Sequence, residues 1–252
     1  MAAAADGAAG IASVVIPTLN EAAAIAGVIA AIPRPPAREV IVADGGSTDA
    51  TAARAAAAGA RVLQAGRGYG RACARGAAAA DPASTVIVFL DGDGADCAEL
   101  MDRLVGPIAA GVQDFVLATR TRGGRDPGAM AWHQVLAGRA VGAVLRALYG
   151  VAYSDMCAYR AIRREALAGL GLREMGYGWN LEMQMRAAQA GLRIAEVALP
   201  YRRRAGGQSK VAGSLGGTLR AGWRIGLTLL RVAAAGRAGQ GGEGGKGGQR
   251  PS

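Results

Sequence analysis

Short apolar runs alternate with longer alanine-rich segments through the first half of the chain. The runs are rich in β-branched residues and are followed by turn-forming or polar residues. Short, near-continuous apolar runs of this kind are typical of strands that are buried on both faces of a sheet. The pattern predicts five strands before residue 120, over residues 13–16, 40–43, 62–64, 86–90 and 115–118.

The alanine-rich segments between these runs predict helices, because alanine has the highest helix propensity. Prolines that follow Ile32 end the first helix. Ser47 or Thr48 is expected to cap the second helix with its hydroxyl group. The first predicted helix ends at about residue 32, and three more are predicted over residues 49–58, 71–80 and 98–110. Strands that alternate with helices indicate a three-layer α/β/α fold with a mainly parallel mixed sheet.

The second half of the chain is less regular and richer in Gly and Arg. Helices are predicted over residues 132–148 and 180–190, and extended segments over residues 158–162 and 194–197. Gly- and Arg-rich loops are expected over residues 120–129 and 202–217, and a basic amphipathic helix over residues 219–233. We therefore expect one domain over residues 11–235, preceded by a flexible lead of residues 1–10 and followed by a disordered Gly-rich tail of residues 236–252.

Composition narrows the class of partner. The chain has 252 residues, enough for one domain with a sizeable core, and a formal net charge of +10 that is almost entirely arginine. Arginine favours phosphate contacts, although abundant Ala, Gly and Arg throughout the chain explain the excess equally well. Aromatic residues make up 4%, and we find no helix-turn-helix pattern and no basic sheet interleaved with aromatics. These features argue against a nucleic-acid partner.

The cysteines and the longest apolar runs bear on where the protein works. Cys73, Cys97 and Cys157 are scattered and form no CxxC pair, which argues against a disulfide framework or a zinc site. The first ten residues lack the basic region of a signal peptide, and no apolar run reaches the ~20 residues that a membrane span needs. We therefore expect a cytoplasmic protein.

The segment VIVFLDGDGAD, residues 86–96, carries the strongest chemical signal. Asp91 and Asp93 follow a predicted strand, and alternation along an extended chain would place them on opposite sides. A bend at Gly92 would bring both carboxylates onto one cation. Such oxygen ligands suit Mg²⁺ or Mn²⁺ bridging to a phosphate. The alternative is a surface Asp-Gly turn after a buried strand.

A second strand-plus-acid segment, EVIVADGGSTD, spans residues 39–49. Asp44 ends this predicted strand, and a carboxylate there can accept the ring N–H of a nucleotide base. The alternative is a turn that only caps the following helix. Two acid-bearing strand ends in one chain predict a nucleotide and a metal held at one edge of the sheet.

Four motifs in order carry a family resemblance: VVIPTLNE, VIVADGGSTD, VIVFLDGDGAD and GYGWNLEMQMRAAQAGLRIAEVALPYRRRAGGQSK. Together they resemble the GT-A inverting glycosyltransferases of family 2, and within them the polyprenyl-phosphate (dolichol-phosphate) mannosyl- and glucosyltransferase group. The resemblance covers roughly residues 11–225. It implies a GT-A fold and transfer of a hexose from a nucleotide-diphosphate sugar to an acceptor, most readily a polyprenyl phosphate at the cytoplasmic face of a membrane.

The resemblance also implies roles for individual residues. Asp91 and Asp93 correspond to the DxD motif, which would bind Mg²⁺ or Mn²⁺ and neutralise the diphosphate leaving group. Glu182 would serve either as a general base or to orient basic side chains. A phosphate acceptor is already anionic and needs no base, which favours the orienting role. Donor binding would involve Pro17, Glu21, Asp44, Ser47, Asp49, Arg71 and Asp91.

On the acceptor side, the resemblance implies that basic and polar residues surround the acceptor phosphate. These are Arg120, Arg139, Arg204, Ser209 and Lys210. The alternative for each is an ordinary solvated loop residue. Asp155 is expected to be either an acceptor-side residue or a buried structural acid paired with Arg160 or Arg163.

The predicted C-terminal helix gathers Arg220, Arg224 and Arg231 near one face and apolar residues near another. This pattern is typical of a helix that lies on an anionic membrane surface, and equally of one that packs its apolar face on the domain. Two functional alternatives to lipid glycosylation stay open. One is a glycosyltransferase with a hydroxyl acceptor, and the other is a non-catalytic nucleotide or nucleic-acid binding protein.

Overall fold

The computed structural model describes residues 10–130, 132–205, 226, 231 and 232. Most of the predicted lead, the basic C-terminal helix and the Gly-rich tail lie outside the described residues, as do Ser209, Lys210, Arg220 and Arg224. Within the described part, the strands are β1 Ala12–Thr18, β2 Ala37–Asp44, β3 Arg61–Gln64, β4 Val86–Phe89, β5 Phe115–Thr119, β6 Arg160–Arg163 and β7 Ile194–Ala198.

The helices agree with the predicted pattern in most places. They are α1 Ile25–Ala31, α2 Thr51–Ala57, α3 Tyr69–Ala78, α4 Asp102–Ala109, α5 Trp132–Tyr149, α6 Arg164–Gly169 and α7 Trp179–Gln189. The helix expected over residues 98–110 is divided, because a 3₁₀ turn over Ala98–Leu100 precedes α4. The short helix α6 was not predicted.

The strands form a single mixed sheet in the order β3-β2-β1-β4-β6-β5-β7. β6 runs antiparallel to both of its neighbours, and the other paired strands are parallel. Helices cover both faces, so the predicted three-layer α/β/α fold with a mainly parallel mixed sheet is confirmed. Consecutive residues of β1 show why its sequence is apolar without alternation: Val14 and Ile16 face one helical layer and Val15 faces the other.

The two faces of the sheet carry different helices. Ile25 of α1 and Leu104 of α4 belong to the cluster on one face, and Leu145 of α5 and Met183 of α7 belong to the cluster on the other. All four side chains are buried. Burying large apolar side chains stabilises by about 1.5–3 kcal/mol each. Burial in both helical layers therefore holds the strands in the sheet.

The predicted cap of α2 is wrong. The residue before the helix is Ala50, and its side chain makes no capping bond. The hydroxyl of Ser47 instead donates to Asp44, and the backbone N–H of Thr48 donates to Asn20 at 2.9 Å. These residues fasten the loop after β2 to the sheet edge rather than to the helix.

Candidate active site

The carboxyl ends of β1, β2, β4 and β5 meet at one edge of the sheet. β1 pairs with β2 on one side and with β4 on the other, so the chain leaves β1 in one direction and later returns on the opposite side. Open α/β sheets bind ligands in the crevice that forms at such a switch of strand order. The acid-bearing loops identified in the sequence lie at this crevice.

Asp44 closes the loop after β2. Its side chain is 1% exposed, and its Oδ2 accepts hydrogen bonds from the backbone N–H groups of Gly46 at 3.2 Å and Ser47 at 2.9 Å. Its Oδ1 accepts from the hydroxyls of Ser47 and Thr18. The Asp44 carboxylate thus holds the turn that follows it. A nucleotide base that donates to this carboxylate would bind alongside these donors.

The loop after β1 is joined directly to the loop after β2. Asn20 has a left-handed φ of 55°, and its Oδ1 accepts from the N–H of Thr48. The N–H of Glu21 donates to Thr51 Oγ1 at 2.8 Å, and Asp49 accepts from the N–H of Ala22 at 3.3 Å. These cross-links hold the two donor-side loops in one arrangement. The predicted donor residues lie on these two loops or at the strand ends that they follow, namely Pro17, Glu21, Asp44, Ser47 and Asp49.

The segment after β4 presents the paired carboxylates. A Cβ atom on Gly92 would lie 2.9 Å from Thr18 Cγ2, so the glycine allows this segment to pass close to β1. Asp91 is half-buried, whereas Asp93 is 2% exposed. Asp93 Oδ1 accepts from the N–H of Ala95 at 2.9 Å, and its Oδ2 pairs with Arg204 Nη2 at 2.6 Å.

The carboxylates interact electrostatically. Burial, and next the charge of Asp93, raise the pKa of Asp91 to about 6. Burial, and next the charge of Asp91, raise the pKa of Asp96 to about 8. In the described part of the chain, no three or more His, Cys, Asp or Glu side chains lie close enough to hold a metal ion together. A cation at this edge would therefore rest on the Asp91–Asp93 pair and on oxygen atoms from a ligand or water.

Arg120 and Arg204, both predicted to contact the acceptor, are each paired with a carboxylate. Arg120 makes a two-pronged ion pair with Asp155, with Nε–Oδ2 and Nη2–Oδ1 distances of 2.7 Å. Its guanidinium also lies 5.1 Å from the ring centroid of Tyr201. The expected pairing of Asp155 with Arg160 or Arg163 is wrong, because those two arginines bind backbone carbonyls and Asp114 respectively.

Glu182 lies on α7, as predicted, and is 3% exposed. Its Oε2 accepts from the N–H groups of Arg173 at 2.9 Å and Glu174 at 2.6 Å, and its Oε1 accepts from Arg186 Nε at 2.7 Å. The loop that it holds supplies the carbonyl of Met175 to the N–H of Arg71 at 3.0 Å. The carboxylate therefore anchors the loop that meets the first turn of α3.

Arg71 and Arg139 lie apart from each other. Arg71 is exposed at the start of α3, and its Cδ lies near Gly66 at the donor-side end of the sheet. Arg139 is on α5 and lines a cavity with Arg122 and Arg146, neither of which was predicted. No motif marks Arg122 or Arg146, because both are separated in sequence from the acid-bearing segments.

The outward face of α5 is apolar. Trp132, Leu136, Val144 and Leu148 are 77%, 59%, 41% and 44% exposed. Large exposed apolar patches mark interaction surfaces more often than isolated apolar residues do. In the part of the chain that the structure describes, no helix combines the length and hydropathy required to cross a membrane.

Comparison with known proteins decides the family. Residues 13–171 match the sequence profile of Glycosyl transferase family 2. The chain belongs to this family. It is a family 2 glycosyltransferase with a GT-A fold, as the motifs predict. Over 213 residues, which are 82% of this chain and 92% of the relative, the enzyme is 37% identical to an uncharacterized glycosyltransferase of Mycobacterium tuberculosis.

Two further similarities bear on chemistry. The enzyme is 34% identical over 197 residues to the dolichyl-phosphate hexose transferase of Haloferax volcanii, a match that covers 77% of this chain and 84% of that protein. It also resembles the crystal structure of glucosyl-3-phosphoglycerate synthase from Mycobacterium tuberculosis in complex with Mn²⁺, uridine diphosphate and glucosyl-3-phosphoglycerate. That similarity has a TM-score of 0.70 and 29% identity, and covers 89% of this chain and 80% of the other.

Proposed function

We propose that the enzyme transfers a hexose from a nucleotide-diphosphate sugar to an acceptor that carries a phosphate, with inversion at the sugar carbon. The observation that carries this proposal is the placement of Asp44, Asp91 and Asp93 at the carboxyl ends of neighbouring strands on either side of β1. A nucleotide on the β2 side and a diphosphate on the β4 side would span the crevice at the switch in strand order.

The Asp91–Asp93 pair fits a divalent cation. Both side chains offer carboxylate oxygens, the ligand type that Mg²⁺ and Mn²⁺ prefer. Burial is the main cause of the raised pKa of Asp91, and the charge of Asp93 raises it further, a repulsion that a cation would relieve. The similar synthase structure contains Mn²⁺ together with uridine diphosphate. When bound, such a cation would neutralise the negative charge of the departing diphosphate.

Arg204 is proposed to act beside this pair. Its Nη2 is bound to Asp93, and its Nη1 is buried with no hydrogen-bond partner among the described residues. Buried donors are seldom left unpaired, so this N–H is suited to an oxygen of the leaving diphosphate. This role replaces the acceptor contact that the resemblance implies for Arg204.

Glu182 is proposed as a positioning residue rather than a general base. Both of its oxygens accept hydrogen bonds, from two backbone N–H groups and from Arg186. An anionic phosphate acceptor needs no proton removed. Glu182 instead fixes the loop whose carbonyl holds the first turn of α3, where Arg71 begins the donor side.

A lipid phosphate is the proposed acceptor. The relative from Haloferax volcanii is named for hexose transfer involving dolichyl phosphate, and the exposed apolar face of α5 is bordered by Arg139 and Arg146. An apolar helix face flanked by arginines suits the surface of an anionic membrane. We therefore propose peripheral attachment at that surface. A soluble phosphate-bearing acceptor with a reactive hydroxyl is the second candidate, favoured by the ligand of the similar synthase structure.

A donor and acceptor panel tests the proposal. The full chain is incubated with uridine- and guanosine-diphosphate hexoses, with and without Mn²⁺, and donor binding is measured by thermal shift. Product is then measured with a polyprenyl phosphate in vesicles and with 3-phosphoglycerate in solution. The proposal requires metal-dependent binding of one donor and transfer to a phosphate-bearing acceptor. Tight DNA binding with no response to any donor would instead favour the non-catalytic alternative.

A further inference from the structure

The chain that follows β7 runs back past the segment that carries the paired carboxylates. We call residues 201–205 the returning segment. The N–H of Arg202 donates to the carbonyl oxygen of Ala95 at 2.8 Å, and the N–H of Ala205 donates to the carbonyl oxygen of Asp93 at 3.0 Å. Backbone hydrogen bonds therefore hold the returning segment beside the carboxylates without help from its side chains.

One side chain of the returning segment reaches the carboxylate pair. Arg204 Nη2 lies 2.6 Å from Asp93 Oδ2. Among the described residues, Arg204 is the one basic residue that forms an ion pair with either Asp91 or Asp93. The Asp93 side chain is buried, and an ion pair at a buried carboxylate is stronger than one on an exposed surface. The guanidinium thus neutralises a carboxylate that the proposed cation would also use.

This ion pair does not use all the donors of Arg204. Its Nη1 is buried and has no hydrogen-bond partner among the described residues. Buried donors are usually paired, and an unpaired one opposes the arrangement that leaves it so. Arg120 provides the contrast, because its Nε and Nη2 each bind the Asp155 carboxylate at 2.7 Å. Arg120 is therefore held by two matched bonds, whereas Arg204 is held by one contact and keeps an unused donor.

Asp93 has little capacity for a second positive group. Its Oδ1 accepts from the N–H of Ala95 at 2.9 Å, and its Oδ2 faces Arg204. Mg²⁺ binds carboxylate oxygens at about 2.0–2.1 Å. A divalent cation and a guanidinium on one buried carboxylate would repel each other strongly, since little water screens them. Cation binding at Asp93 therefore favours departure of the guanidinium.

We propose that Arg204 is the counterion that a divalent cation replaces on Asp93, an inference that rests on the cation site of the proposed function. The exchange keeps a positive group on the carboxylate and frees the guanidinium for diphosphate oxygens beside it. A change in side-chain conformation is sufficient, because the backbone of the returning segment is held separately. The cation and the diphosphate thus favour each other through Arg204 as well as through direct contact.

The first experiment measures Mn²⁺ binding to the full chain by electron paramagnetic resonance, without nucleotide. Arg204→Gln removes the competing charge, so Mn²⁺ affinity should rise by about tenfold, a usual size for coupling between two groups at one site. Arg202→Gln is the matched control, because it removes the same charge from the same segment but at an exposed ion pair with Glu99. It should bind Mn²⁺ like the parent. Equal affinity of Arg204→Gln and the parent, or binding to neither, overturns the exchange.

The second experiment repeats the titration with saturating uridine diphosphate or guanosine diphosphate. In the parent, the nucleotide should raise Mn²⁺ affinity both by direct coordination and by binding the released guanidinium. Arg204→Gln keeps only the direct part, so the ratio of Mn²⁺ affinities with and without nucleotide should be about tenfold smaller than in the parent. An equal ratio would show that the guanidinium stays on Asp93 when both ligands are bound, and would overturn the exchange.

The third experiment observes the guanidinium itself, because loss of a nearby charge could raise Mn²⁺ affinity without any exchange. In ¹⁵N nuclear magnetic resonance, the Arg204 signals are identified by their absence in Arg204→Gln. Held by Asp93, the two Nη groups should give separate signals, which should merge as diamagnetic Mg²⁺ frees the group to rotate. The Arg120 signals serve as the internal reference and should not change. Separate Arg204 signals at saturating Mg²⁺ would overturn the exchange.

The outcomes separate this inference from the proposed function. Tighter Mn²⁺ binding by Arg204→Gln and release of the guanidinium by Mg²⁺, with no nucleotide binding and no transfer, retain the exchange and refute the transferase proposal. Metal-dependent hexose transfer by the parent, with Mn²⁺ affinity unchanged in Arg204→Gln, retains the transferase and overturns the exchange.

Discussion

The two sides of the sheet edge are built in different ways. On the donor side, neighbouring loops are joined by hydrogen bonds, such as those from Asn20 to Ser47 and from Thr48 to Asn20. On the acceptor side, ion pairs join distant parts of the chain, as between Arg120 and Asp155. A hydrogen-bonded loop is specified by a short motif, whereas a buried ion pair depends on the whole fold.

The difference also concerns charge. The donor-side carboxylates accept hydrogen bonds from backbone N–H groups. The turn at Asp44 is therefore held by these hydrogen bonds and needs no cation. The acceptor side places arginines against carboxylates and leaves Arg139 and Arg146 without partners among the described residues. We therefore expect donor-side substitutions to change ligand affinity mainly, and substitutions in the acceptor-side ion pairs to change folding stability as well.

The largest expected effect lies where the two sides meet. Asp93→Asn keeps the shape of the side chain but removes the charge shared by the proposed cation and Arg204. Metal-dependent donor turnover should fall by about a thousandfold, or roughly 4 kcal/mol of transition-state stabilisation. Asp102→Asn, at an exposed acid on α4, is the control. Unchanged steady-state turnover of a folded Asp93→Asn enzyme would show that this carboxylate takes no part in the reaction.

The second prediction concerns the buried ion pair. Asp155→Asn leaves the Arg120 guanidinium without a charged partner, and the free energy of unfolding should fall by about 3 kcal/mol. Urea denaturation followed by circular dichroism measures it. Asp114→Asn is the control, because the ion pairs of Asp114 with Arg163 and Arg193 are more exposed and should contribute less than the Arg120–Asp155 pair.

The same pair predicts a pH dependence. Burial raises the pKa of Asp155, but hydrogen bonds from Arg120 outweigh burial and hold that pKa below its ordinary value. The carboxyl is thus harder to protonate in the folded protein than in the unfolded chain. The pair stabilises the fold fully above pH ~4, and that contribution is lost as pH falls further. The stability difference between parent and Asp155→Asn should shrink below pH ~4, and a difference that grows there would contradict the assignment.

The third prediction isolates the donor side. Asp44→Asn should weaken binding of the nucleotide sugar by about tenfold, equivalent to roughly 1.5 kcal/mol for one hydrogen bond to a charged group. Turnover at saturating donor should change less, because Asp44 lies at the end of β2, away from the paired carboxylates after β4. Calorimetric titration with the donor measures the affinity. Equal affinity in variant and parent would leave Asp44 only its observed role in the turn.

The same contrast explains what the sequence predicts and what it misses. The strands, the layered fold and the acids at Asp44, Asp91 and Asp93 follow from short apolar runs and the residues directly after them. The pairing of Asp155 with Arg120 was not predicted, because many arginines are equally plausible partners until the strand order is known. The antiparallel placement of β6 decides which of them lies nearby.

The predicted cap of α2 is wrong for a related reason. Ser47 and Thr48 have the residue types of a cap, but Asp44 at the end of β2 and Asn20 in the loop after β1 are competing partners. Arg122 and Arg146, which line a cavity with the predicted Arg139, were missed because Gly142, at which α5 packs against Tyr153, carries no signal of its own in an alanine- and glycine-rich chain. Tertiary contacts therefore decide the parts of the site that local pattern leaves open.

The smallest expected effect tests the proposed membrane surface at the outer limit of the acceptor side. Leu136 is 59% exposed on α5, and Val112, which precedes β5 at the opposite edge of the sheet, is 57% exposed. If α5 rests on a membrane, Leu136→Ser should weaken binding to vesicles containing phosphatidylglycerol by about fivefold, since partial burial of one such side chain contributes about 1 kcal/mol. Val112→Ser should bind like the parent, and both should bind more weakly as salt screens the arginines. Vesicle flotation measures all three proteins. Equal flotation of the two variants would exclude α5 as the attachment surface, and absence of flotation by the parent would favour the soluble acceptor.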